Sequence, residues 1–150
     1  MIRLSKSTDY ALMALADLAL LPERKLLSAR RLAENHGLPP QLAAKVLQEL
    51  RKSGLVETRQ GIRGGYRLAR PAHEIRITDV IEAIEGPLAL VECVLDDHGC
   101  CLIATCSVRT PLTRLHEWLL AALSELTLAQ TLEDFGAPAI GSGPELPVLQ

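Results

Sequence analysis

The chain has 150 residues, 48% of them hydrophobic and 23% charged, with a formal net charge of −2. That length can bury one proper core, and that composition excludes a chain disordered throughout. The first ten residues are polar and charged, unlike a secretory signal, and the longest apolar run, Tyr10 to Leu21, is broken by Asp17 and stopped by Pro22, too short to cross a bilayer. The expectation is a cytoplasmic protein with no membrane partner. The charge is unevenly divided. Residues 1–75 carry thirteen Lys/Arg and seven Asp/Glu, a balance of +6, and residues 76–150 carry three and eleven, a balance of −8. A basic first half points to a polyanionic partner; two solvated faces of a globular protein are the plainer account of the charge alone.

A helix is expected over Tyr10 to Leu21, with Ser7 or Thr8 as N-cap and Asp9 in the first turn. It is apolar on nearly every side, the pattern of a buried or sandwiched helix. Ser28 caps a short second helix, Ala29 to His36, which Gly37 ends. Pro39 and Pro40 open a third, running to Ser53 before Gly54. Leu42, Val46, Leu47 and Leu50 form its inner stripe, and Gln41, Ala44, Lys45, Gln48, Arg51 and Lys52 its outer face. Two helices joined around Gly37, the second polar and basic outside, fit a helix-turn-helix.

Leu55 to Arg59 and Tyr66 to Leu68 are strand candidates, separated by a tip containing Gly61, Gly64 and Gly65. Arg59, Arg63, Arg67 and Arg70 decorate this hairpin. A helix-turn-helix followed at once by a basic hairpin is a winged helix. Its recognition helix would face base edges, and Arg63 at the wing tip would reach phosphate or the minor groove. The fold expected is therefore mainly α with a small β-hairpin wing, the DNA-contacting residues being Gln41, Lys45, Gln48, Arg51, Arg59, Arg63 and Arg67. Solvation alone would also account for arginines on an isolated hairpin, but much less well for arginines following this helix pair.

Ile75 and Ile77 suggest a short extended piece, and Thr78 and Asp79 cap a helix from Val80 to Glu85, stopped by Gly86-Pro87. Thr110 and Pro111 start the last long helix, along which Leu112, Leu115, Leu119, Ala122 and Leu126 recur at gaps of 3, 4, 3 and 4. That seam fits dimerisation or a plain core face; a winged helix reading two half-sites as a symmetric pair favours the dimer. Thr127 caps a closing helix from Leu128 to Phe135. The division expected is 1–73 for DNA binding, 74–135 for the cysteine loop and dimerisation helix, and 136–150 as a disordered tail.

All four cysteines, Cys93, Cys100, Cys101 and Cys106, fall within fourteen residues. In a cytoplasmic chain such a cluster points to metal or redox chemistry rather than structural disulfides. Thiolates suit iron–sulfur clusters, zinc and Cu(I). Six residues separate Cys93 from Cys100 and five separate Cys100 from Cys106; choosing Cys101 gives seven and four. None is the short CxxC knuckle of most structural zinc sites. A redox pair at Cys100 and Cys101 would be strained, being adjacent. A cluster commonly takes four ligands, and beside three thiolates the local candidates are His98 and Asp97, the distant one Asp9. His98 reads better as a solvated loop residue, and Asp9 equally well as a carboxylate favoured by the helix dipole. No nucleophile signature surrounds any cysteine, so the chain is not read as an enzyme.

Several stretches resemble one bacterial family, the iron–sulfur-sensing winged-helix transcription regulators. They are Leu4–Ala11, Leu50–Val56, Gly61–Arg70, Ile77–Gly86 and the cysteine loop, in the same order over roughly residues 1–135. The first helix and Cys106-Ser-Val-Arg look most like the regulator of the SUF cluster-assembly operon. The resemblance implies a homodimer on double-stranded operator DNA and a cluster, 2Fe–2S or 4Fe–4S, on Cys93, Cys100 and Cys106, with Cys101 as an extra thiol. Family members also use a histidine three residues beyond the last cysteine, where this chain has Arg109, or an aspartate of the first helix from the other subunit, which Asp9 matches. The function implied is a dimeric repressor sensing cluster status at SUF genes. The alternative is a winged-helix repressor sensing nitric oxide or thiol oxidation, with zinc or no metal at the cysteines.

Overall fold

Lys6 to Leu20 forms α1 because small and unbranched residues dominate it and its apolar positions keep a helical period. Thr8, Ala11, Ala14, Leu15 and Leu18 are buried on one face. The computed structural model describes residues 4–22, 25–61, 64–91, 94 and 105–134. The helix starts earlier than the sequence suggested, with Ser5 in the N-cap position. Thr8 is no cap: it is fully buried and donates its hydroxyl to Glu85. Nor is the helix buried all round, since Met13 and Leu20 are exposed.

Helix α2 (Ala29–His36) matches its expected bounds. The Ser28 hydroxyl accepts from the Arg31 N–H at 3.1 Å, and Gly37 takes the left-handed conformation (φ 62°) that ends it. Asn35 Nδ2 and His36 Nε2 both lie 3.0 Å from Asp17 Oδ2, fastening α2 to α1. Helix α3 (Pro40–Lys52) buries Ala43, Val46, Leu47 and Leu50. Leu42, expected inside, is only partly covered, and Ala43 takes the inner place.

Strands β1 (Val56–Arg59) and β2 (Gly65–Leu68) pair antiparallel, Val56 opposite Leu68 and Arg59 opposite Gly65. A piece that the sequence reading missed extends this ladder: Leu27 and Tyr66 exchange backbone hydrogen bonds of 2.9 and 2.8 Å. The wing is thereby sewn to the α1–α2 connection.

A 3-10 turn (Ala72–Glu74) leads to α4 (Ile77–Glu85). Asp79 caps it from within, accepting the Arg76 N–H at 3.3 Å, while Thr78, expected as a cap, lies buried inside the helix. Helix α5 spans Arg109–Glu125, so Thr110 lies within it rather than capping it. Helix α6 (Leu128–Asp134) is capped as expected: Thr127 N–H donates to Gln130 Oε1 at 2.9 Å, and Gln130 N–H to the Thr127 hydroxyl at 3.3 Å. The extended piece at Ile75–Ile77 pairs with this turn, through Ile77 N–H to Leu126 O at 2.9 Å and Leu128 N–H to Ile75 O at 2.8 Å. Leu128 thus enters the same core as Leu15, Leu47, Leu50, Ile75 and Val80. The tail expected from residue 136 lies outside the described residues.

Candidate nucleic-acid interface and cysteine segment

The inner stripe of α3 fixes what its outer face presents. With Val46, Leu47 and Leu50 in the core, Gln41, Lys45, Gln48 and Arg51 are exposed. Gln41, Lys45 and Gln48 follow one another at four and three residues and so share one face. Lys52 is held by Glu49 at 3.0 Å, an exposed pair worth only a few tenths of a kcal/mol. Lys45 and Arg51 form no ion pair among the described residues, which leaves their charges available.

The hairpin adds a second basic element. Arg59 is exposed at the end of β1. Arg67 lies opposite Glu57 in the ladder, and its Nε pairs with Glu57 Oε1. That guanidinium is therefore engaged across the wing, a pairing that the sequence could have suggested only once the register was known. Arg70 is similarly engaged, with Asp79 at 3.4 Å. The tip needs its glycines: a Cβ on Gly64 would lie 2.6 Å from the Arg59 carbonyl oxygen, and one on Gly65 would lie 2.9 Å from that of Leu27. Arg63 lies outside the described residues.

Of the cysteines, Cys106 is described; Cys93, Cys100 and Cys101 lie outside the described residues, as do Asp97 and His98. Cys106 is a free, partly buried thiol three residues before α5 begins. Among the described residues no three His, Cys, Asp or Glu side chains group to hold a metal ion. The donor chemistry nevertheless fits a cluster, since thiols are the ligands such clusters take. Asp9 is exposed in the first turn of α1, where the helix dipole favours it.

One carboxylate went unnoticed in the sequence. Glu85, the last residue of α4, accepts the Ser5 N–H at 2.8 Å and the Thr8 hydroxyl. Hydrogen bonds from Ser5 and then Thr8 to its charged form hold its carboxyl below the ordinary value of 4.5. No local signal could reveal it, because Ser5 lies 80 residues away.

Helix α5 buries only His116. Of the expected seam, Leu112 and Leu119 are partly covered, while Leu115, Ala122 and Leu126 are exposed, as is Trp118. No described helix is long and apolar enough to cross a membrane.

Solved structures share this fold. The structure superposes on the global cysteine regulator CymR of B. subtilis with a TM-score of 0.70 at 24% identity, covering 89% of this chain and 98% of that one, a likeness of fold. It matches T. potens IscR with a TM-score of 0.69 at 26% identity, covering 95% and 94%. It also matches Staphylococcus aureus CymR with a TM-score of 0.64 at 26% identity, covering 86% and 97%. The winged-helix fold expected from the sequence is thus the fold found. Over residues 4–134 the sequence matches the Rrf2 family model, described as iron-dependent transcriptional regulator, which makes it a regulator rather than an enzyme. The chain belongs to the Rrf2 family of transcriptional regulators.

Proposed function

We propose that the chain is a cytoplasmic, homodimeric repressor of cluster-assembly (SUF) genes. It binds double-stranded operator DNA through α3 and the wing, and its affinity follows the state of an iron–sulfur cluster on Cys93, Cys100 and Cys106. The observation that carries the DNA half is the exposed row Gln41, Lys45 and Gln48, with Arg51 beside it and the wing's Arg59 next in the chain. Gln41 and Lys45, nearest the N-terminus of α3, suit base edges; Arg51, Arg59 and Arg63 suit phosphates, and Arg67 joins them if DNA displaces Glu57.

The sensing half rests on the donor set. A cluster held by these thiolates supplies an iron centre sensitive to redox state and to exchange of its ligands. Cys106 stands directly before α5, so the cysteine segment and the dimer seam of Leu112, Leu115, Leu119, Ala122 and Leu126 are consecutive. Cys101 would be a further thiol beside it, and Asp9, in the first turn of α1, would supply an oxygen ligand from the partner subunit. A difference in cluster affinity between DNA-competent and DNA-incompetent arrangements is what drives such a switch.

Anaerobic purification with an absorption spectrum and iron and acid-labile sulfide counts tests the cofactor. Visible charge-transfer bands with equal iron and sulfide per chain are expected. A colourless protein that resists reconstitution, or one holding stoichiometric zinc, would leave a winged-helix regulator with other cysteine chemistry.

A further inference from the structure

A cavity of about 540 Å³ lies where the end of α1, the α1–α2 connection and the return strand of the wing meet. Organic ligands occupy clefts of about 300–1,000 Å³, mostly apolar with a few placed polar groups. This cavity has that make-up. Leu18 and Leu21 line it from the end of α1, and Leu68 from β2. Pro22 and Pro71 line it too, and their fixed φ angles stiffen the chain on either side. Close by, the Leu27–Tyr66 bridge ties the α1–α2 connection to β2 with bonds of 2.9 and 2.8 Å, so the walls are formed before any ligand arrives.

Among the described residues, every charged side chain that lines this cavity is a cation: Lys25, Arg67 and Arg70. Lys25 is exposed and forms no ion pair among the described residues. Arg70 reaches Asp79 at 3.4 Å and the Glu74 carbonyl oxygen at 3.5 Å, longer than the about 2.7–2.9 Å of a firm charge-assisted bond. Arg67 pairs with Glu57 in the open, where water weakens the pair. The carboxylates that answer the two arginines, Glu57 and Asp79, do not line the cavity. DNA phosphates make no use of an apolar floor, whereas an anionic head on an apolar body uses both the floor and the cations.

From this arrangement we infer that the cavity binds an organic anion, a carboxylate head on an apolar body, and that its binding opposes binding of the operator. The head lies among Lys25, Arg67 and Arg70, whose planar guanidinium forks match a carboxylate, and the body covers Leu18, Leu21 and Leu68. The opposition arises at Arg67, which belongs both to the cavity and to the wing, so that ligand and DNA phosphate compete for one guanidinium. Reciprocity then requires the operator to weaken the ligand by the same factor. The site stands on the cavity alone; its effect on the operator rests on the DNA contacts proposed above.

Octanoate, 1-octanol and octylammonium, each titrated into the full chain while amide chemical shifts are followed, test the site. Octanoate is expected to shift the amides of Leu18, Ala19, Leu68 and Ala69 saturably, and to bind about tenfold or more tighter than octylammonium, with 1-octanol between them. Lys25→Glu and Ala69→Glu, both at exposed positions that leave the core untouched, each weaken octanoate about fivefold. Saturating octanoate lowers operator affinity about fivefold or more against sodium acetate at the same ionic strength, and Ala69→Glu removes that effect. Equal binding of the three probes, or octanoate binding that both variants leave intact, overturns the site. So does a Lys25→Glu chain whose operator affinity and salt slope fall while octanoate shifts nothing in the wild type, since the cavity then lines the DNA interface. Octanoate that binds as expected yet leaves operator affinity unchanged overturns the opposition alone. A chain that takes octanoate but no operator contradicts the DNA contacts proposed above and leaves the site standing.

Discussion

Removing the exposed cations of α3 gives a signal that can be worked out in advance. Gln41 and Gln48 are seven residues apart, about 10.5 Å along the helix, close to three base-pair steps of about 3.4 Å. Lys45 sits between them and Arg51 beyond them, both exposed and without an ion pair among the described residues. Each phosphate contact contributes about 0.9 to the slope of log affinity against log salt. In a symmetric dimer Arg51→Ala removes two contacts, so the slope flattens by about 1.8. Between about 50 and 200 mM salt the wild-type advantage then shrinks about twelvefold. Lys45→Ala, if Lys45 reads a base, costs about 1–3 kcal/mol per contact and relaxes preference at that position. Lys52→Ala, whose charge Glu49 already engages at 3.0 Å, has the smaller effect. Folding stability changes by less than about 0.5 kcal/mol in all three, because the residues are exposed. Fluorescence anisotropy across a salt series, on a duplex selected from random sequence by the wild type, measures both terms. Wild-type affinity and slope in Arg51→Ala and Lys45→Ala together would refute α3 as the recognition helix.

Further outcomes are expected. Leu47→Ala, at a fully buried position, should lower unfolding free energy by about 2–5 kcal/mol in a denaturant titration. Gly64→Ala should weaken operator binding more than it destabilises the fold, because its Cβ would meet the Arg59 carbonyl oxygen at 2.6 Å and displace the wing tip. Leu115→Asp, at a position about half exposed in the single chain, should yield folded monomer in sedimentation, whereas unfolded protein would mark the seam as internal core. Glu85 contributes a pH dependence whose sign follows from its lowered carboxyl. Its stabilisation is full above the ordinary value of 4.5 and is lost as pH falls through the lower folded value, so wild type should lose its advantage over Glu85→Gln on acidification, as read by thermal melts.

Local chemistry explains which parts of this fold could be read from the residues. Ser28 and Gly37 bounded α2 correctly because cap and αL residue both act within a few residues of the helix they bound. Thr127 marked α6 for the same reason, since Gln130, the partner of its cap, lies only three residues on. The start of α1 was misplaced because its capping acceptor, Glu85, arrives from another helix, leaving the nearer Thr8 to look like the cap. The Leu27–Tyr66 bridge escaped notice because a single residue carries no period. Likewise, Arg67 looked available until the strand register set Glu57 opposite it. On α5, spacing identified an apolar seam but not its partner; exposure of Leu115 and Leu126 in the single chain is what favours a second subunit.

Operator affinity measured on one anaerobic preparation, before and after the iron is chelated away, tests the central claim most directly. Affinity is expected to change by about fivefold or more when the iron and sulfide leave, and reconstitution to reverse the change. Equal affinity of the iron-loaded and stripped protein for the same duplex would contradict it.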